Sequence, residues 1–123
     1  NFNSGMATLR QIHFALTDLK LHSEWKENMG ITPDDLRREI ASSSTLIPPI
    51  KEDQFLCSFS HIFAGGYSAG YYSYKWAEVL SADAFSAFED VGLENNKLVR
   101  ETGMRFRNTI LSMGGSRSPE EIF

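Results

Sequence analysis

Apolar residues recur at steps of three and four between Met6 and about His22, at Leu9, Ile12, Leu16 and Leu19, with Thr8, Arg10, Gln11, Asp18 and Lys20 between them. That period predicts an amphipathic helix. Phe14, Ala15 and Leu21 widen its apolar surface, so it is expected to touch neighbours on more than one side. Thr32-Pro33-Asp34-Asp35 then offers a capping hydroxyl, a proline for the first helical position and two acids for the positive end of a helix dipole. A short helix is expected from Pro33 to about Ser43, ended by Ser42-Ser43-Ser44-Thr45 and Pro48-Pro49, with residues 44 to 52 as an extended connector.

Phe55 to Phe63 is apolar and aromatic enough for one or two helical turns. Beyond it Tyr72, Trp76, Val79, Leu80, Ala84, Phe85 and Phe88 fall on helical spacing, which predicts a long helix from Ala69 or Tyr71 to Glu89 with Gly92 as its stop. Asn95 or Asn96 is placed to cap a third long helix over Lys97 to Met113, where Val99, Gly103, Phe106, Ile110 and Met113 repeat before Gly114-Gly115. Ser118-Pro119-Glu120-Glu121 carries the signature of a helix opening, with Ser118 as cap and Glu121 reaching back to it. With no alternating strand pattern and no repeat, the fold class is all-α, with about four to five helices.

A length of 123 residues suits one domain with a single modest core. The net charge of -4, with no basic stripe, argues against nucleic acid as a partner. No apolar stretch approaches the roughly 20 residues of a membrane span. The one cysteine, Cys57, excludes an internal disulfide; its apolar neighbours in Phe55-Leu56-Cys57-Ser58-Phe59 mark it as a reduced core thiol rather than a nucleophile partnered by His61. Asp34, Asp35, Arg37, Arg38 and Glu39 are expected to form a solvated helix face.

Candidate chemistry is concentrated in one run. Gly65-Gly66-Tyr67-Ser68-Ala69-Gly70-Tyr71-Tyr72-Ser73-Tyr74 holds all four tyrosines, just after His61. Glycine permits close approach and positive φ, while a phenol donates a hydrogen bond at neutral pH to a carbonyl or a developing oxyanion. On a helix starting near Tyr71, Tyr71 and Tyr74 present hydroxyls from one side and face the ligand, whereas Tyr72 turns toward Trp76 and packs. The chain has no His-Glu-x-x-His, Gly-x-Ser-x-Gly, phosphate-binding loop or Cys-x-x-Cys. His13 and His22 are read as ordinary helix residues, and no metal ligand is assigned.

The segment from Phe59 to Phe85, with Gly5 to Gln11, Pro48 to Phe55 and Arg105 to Leu111 on its flanks, closely resembles the C-terminal part of the thimet oligopeptidase and oligopeptidase A family of zinc metallopeptidases, peptidase family M3. The resemblance covers essentially the whole chain. It implies a large, two-lobed helical enzyme whose channel admits short peptides, working in the cytoplasm, or in a mitochondrion or chloroplast if from a plant. It also implies that zinc is held by a His-Glu-x-x-His pair and a later glutamate, all upstream of Asn1, so the chain would be a C-terminal segment truncated at both ends and inactive alone. By the same resemblance His61, Tyr71 and Tyr74 would bind substrate backbone and stabilise the oxyanion. Tyr67 would contact substrate, and Gly65, Gly66 and Gly70 would let the loop close. The expected partners are short peptides and the upstream part of the same peptidase. A different class remains open, a noncatalytic helical peptide-binding or assembly module associating through Leu9/Ile12/Leu16 and Phe106/Ile110/Met113.

Overall fold

A computed structural model describes residues 2 to 123. Among these the regular structure is helical throughout, with α1 Ser4–Ser23, α2 Pro33–Ser44, α3 Ser73–Asp90, α4 Asn96–Thr109 and α5 Pro119–Ile122. By its internal contacts the chain divides into two compact units, one ending at Ala77 and the other Glu78–Phe123.

In the first unit α2 starts where its signal stands. Thr32 Oγ1 accepts the Asp35 N–H at 3.1 Å and the Asp35 carboxylate accepts the Thr32 N–H at 3.0 Å, so two otherwise orphaned donors are satisfied reciprocally. The Thr32 hydrogen bonds also hold the Asp35 carboxyl below its usual range. The segment 55 to 62 forms two short 3₁₀ turns, Phe55–Ser58 and Ser60–Ile62, which drive Leu56, Phe59 and Ile62 into the core. There they meet Leu21, Leu36, Ile40 and Tyr71, with Phe14 and Phe55 stacked at 4.8 Å on the flank.

The face of α1 that enters this core is not the predicted apolar stripe. Leu9, Ile12 and Leu16 are 37–39% exposed, while His13, Thr17, Asp18 and Leu21 are buried. Polar groups can occupy the inner face because each is bonded. Thr17 Oγ1 donates to the His13 carbonyl at 2.8 Å, and His13 Nδ1 lies 3.1 Å from Ser44 Oγ. The Ser44 hydroxyl proton is already given to the Ile40 carbonyl at 2.7 Å, so the proton of the His13–Ser44 bond comes from His13.

Burial, reinforced by Arg37 and Arg10 and opposed by Asp53, lowers the His13 pKa from 6.5. The unfolded chain therefore takes up the proton first. The stability contributed by neutral His13 is present above the unfolded value and is lost as pH falls from about 6.5 to the lower folded-state value. Urea midpoints at pH 7 and pH 5 should show this loss, and His13→Asn, which keeps a polar partner for Ser44, should flatten that part of the slope.

Several local expectations need correction. Arg37 is buried rather than solvated, because its guanidinium pairs with Asp53 at 3.0 Å and so ties α2 to the connector, while Arg38 donates to the Lys51 carbonyl at 2.7 Å. Cys57 is exposed, since the 3₁₀ geometry turns its neighbours Leu56 and Phe59 inward instead. Tyr72 and Trp76 are 52% and 62% exposed, so neither packs into this core.

In the second unit the Asn95 side chain accepts the Leu98 N–H at 3.2 Å and opens α4. That helix ends at Thr109 rather than Met113, the last residues tightening into a 3₁₀ turn over Leu111–Met113. Ser118 precedes α5 but makes no side-chain cap bond; the link back is the Glu121 N–H to the Ser118 carbonyl at 3.1 Å. Thr102 is the buried residue of α4.

Candidate active site

The Gly/Tyr run leaves the core at Ile62 and returns to it at Tyr71. Two backbone bonds fold it tightly, from the Gly65 N–H to the Ser60 carbonyl at 2.8 Å and from the Tyr67 N–H to the His61 carbonyl at 3.0 Å. Space at Gly65 is closed, since a Cβ there would lie 2.7 Å from His61 Cα and 2.9 Å from its carbonyl oxygen. Gly66 turns the chain through φ 81°. Ser68 Oγ then donates to the Ile62 carbonyl at 2.7 Å, and the Gly70 N–H donates to the Tyr67 carbonyl at 2.8 Å.

This folding gathers the candidate residues. The rings of Tyr67 and Tyr74 stack at 5.0 Å, Tyr71 and Tyr74 lie at 5.0 Å, and His61 stands 6.1 Å from Tyr71 and 6.3 Å from Tyr67. All four side chains share one patch, but their exposure differs. Tyr71 is buried and its hydroxyl donates to Gln11 Oε1 at 3.1 Å, whereas Tyr74 is 39% exposed, Tyr67 is 36% exposed and His61 is exposed. The helix begins at Ser73 rather than at Ala69 or Tyr71, so Tyr71 stands in the turn before α3 and only Tyr74 rides on its first turn.

The hydrogen bond that the Tyr74 hydroxyl donates to the Tyr67 side chain, with desolvation and the neighbouring tyrosines, raises the Tyr74 pKa above 10.0. Burial raises that of Tyr71, against the opposing effect of Arg10. Both phenols therefore keep their protons throughout the neutral range, the state in which they donate. The arrangement suits hydrogen-bond donation to a carbonyl. Among the described residues no three of His, Cys, Asp and Glu come together to hold an ion.

The model of peptidase family M3 matches residues 1–123. The chain belongs to peptidase family M3. The M3 chain is 57% identical over 122 residues to a probable cytosolic oligopeptidase A of Arabidopsis thaliana, a match covering 99% of this chain and 17% of that protein. An organellar oligopeptidase A, chloroplastic/mitochondrial, of the same plant is also 57% identical, with 99% and 15% covered. Oligopeptidase A of Escherichia coli (strain K12) is 46% identical, with 100% and 18% covered. The chain thus spans less than a fifth of the length of these relatives.

Two residues of the M3 chain that shape the patch have no motif to announce them. Asp18 is fully buried in α1, where Oδ1 accepts the Ala69 N–H and Oδ2 the Tyr71 N–H, each at 2.9 Å. Gln11, two turns earlier on the same helix, takes the Tyr71 hydroxyl. The one available signal was register. Gln11, Phe14, Asp18 and Leu21 follow one another at steps of three and four, which sets a carboxylate on a face shared with core residues.

Proposed function

We propose that this chain forms part of an M3 oligopeptidase that cleaves short peptides, and that it supplies the substrate-binding and oxyanion-stabilising side of the active site. The observation that carries the reading is the convergence of His61, Tyr67, Tyr71 and Tyr74 on one patch with Tyr74 accessible and protonated. As a peptide carbonyl becomes tetrahedral its oxygen gains negative charge, and a fixed donor then binds it more strongly than in the ground state. Tyr74 fills that role directly. Tyr71 and His61 frame it, Tyr67 contacts the peptide, and Gly65, Gly66 and Gly70 give the loop its tight path.

We place the zinc implied by family resemblance outside the described residues, among which no three of His, Cys, Asp and Glu come together. Leu9, Ile12 and Leu16 on the outer face of α1 offer apolar surface to the remainder of the enzyme. An intracellular setting, cytosolic or organellar, accords with the names of the plant relatives. The test is Tyr74→Phe in the complete enzyme with a short quenched peptide as substrate; an unchanged kcat would reject the donor role.

A further inference from the structure

Asp18 carries more than packing. A carboxylate with no exposure is costly unless its lone pairs are met, and here two backbone donors meet them, the Ala69 and Tyr71 amides. His22 Nδ1, bonded to the Asp18 carbonyl at 2.9 Å, lies 2.9 Å from Oδ1 as well. The amides lie 51 and 53 residues away in sequence and belong to the turn that delivers the tyrosines. Within that turn Ala69 sits at φ 54°, a left-handed conformation that alanine does not take without help. This turn presents both amides to one carboxylate, so the two bonds favour it. Helix α1 therefore grips Tyr71 at both ends, its amide through Asp18 and its hydroxyl through Gln11.

We infer that Asp18 is a positioning residue for the peptidase reaction, a buried clamp that holds the turn 69 to 71 so that the hydroxyl of Tyr74, framed by Tyr71, stands where the substrate carbonyl needs it. The inference rests on the donor role proposed for Tyr74. Asp18→Asn is nearly isosteric but replaces one acceptor with an NH₂ that faces an N–H. In the complete enzyme, exchange of the Tyr71 amide should accelerate by about tenfold or more, the loss of one buried bond. The kcat should fall on the order of 10²-fold, as expected for a small misplacement of catalytic groups, with a lesser change in KM. Leu36→Ala, a core variant on α2, is the control for lost stability alone.

If Asp18→Asn changes loop exchange and kcat no more than Leu36→Ala does at a similar Tm, the clamp is overturned. Should Asp18→Asn fail to fold, Asp18→Asn/Ala69→Gly is read in its place, because glycine takes φ 54° unaided. Recovery of fold and of part of kcat supports the clamp, and recovery of neither overturns it. Tyr74→Phe run alongside separates the two ideas. Unchanged kcat there with a freed loop in Asp18→Asn removes the donor reading and keeps the clamp, whereas reduced kcat there with wild-type exchange and kcat in Asp18→Asn does the reverse.

Discussion

Tyr74→Phe should lower kcat of the complete enzyme on the order of 10²–10³-fold while leaving KM close to wild type, the loss typical of one oxyanion donor. The ring stays, so its stacking on Tyr67 at 5.0 Å and its contact with Tyr71 survive and the fold should not change. What disappears is the hydroxyl of a partly exposed side chain, bonded to Tyr67 and so held protonated above the ordinary pKa of 10.0. Because that ionisation lies above 10.0, raising pH from 7 to 9 leaves the donor intact, and the ratio of wild-type to Tyr74→Phe kcat should stay constant across that range. A ratio that collapses below pH 9 would mean that the phenol is not the donor. Tyr71→Phe is a less clean experiment, because it also removes the internal bond to Gln11 and leaves that amide oxygen without its partner.

Gly65→Ala should be the most damaging change among the loop glycines. The new Cβ would meet His61 Cα at 2.7 Å, His61 O at 2.9 Å and Ser60 O at 3.0 Å, all backbone atoms that no rotamer can move aside. Relief requires opening the turn, which breaks the Gly65–Ser60 and Tyr67–His61 backbone bonds and carries His61 and Tyr67 out of the patch. We expect a stability loss of about 1–3 kcal/mol from overpacking and a fall in kcat/KM on the order of 10²-fold from misplacement. Gly66→Ala enters open space and suffers only from its φ of 81°, a cost of roughly 1–2 kcal/mol. Gly70→Ala meets its nearest neighbour, the Tyr67 carbonyl oxygen, at 3.4 Å and should be the mildest. Urea midpoints and kcat/KM for the three variants check the order, and a Gly65→Ala enzyme as good as Gly70→Ala would contradict this account of the turn.

Much of this was legible without coordinates where the determining groups lie within a few residues of one another. The reciprocal cap of Thr32 and Asp35, the Asn95 cap and the turn at Gly92 with φ 79° are local events, and their residues stand three or four apart. The grouping of Tyr67, Tyr71 and Tyr74 belongs to the same class, since a tight glycine turn entering a helix leaves those rings little room to separate. Periodicity located α1 as well, yet not which side of it would be inside. That depended on the 3₁₀ turns over 55 to 62 and on α2, whose arrival buried His13, Thr17 and Asp18 and left Leu9, Ile12 and Leu16 at the surface.

The same dependence explains Arg37 and Cys57. An arginine on a charged helix face becomes interior once Asp53 is folded against it, and a cysteine among phenylalanines turns outward when the helix around it is 3₁₀. Hydrophobic period, caps and glycines, acting through steric and hydrogen-bonding terms that reach only a turn or two along the chain, were enough for the sequence alone to determine an all-helical chain and the residues of its tyrosine patch. Tertiary structure decided what holds that patch in place. Asp18 finds its amide partners 51 and 53 residues away, a meeting specified by the packing of the whole unit and by no local pattern.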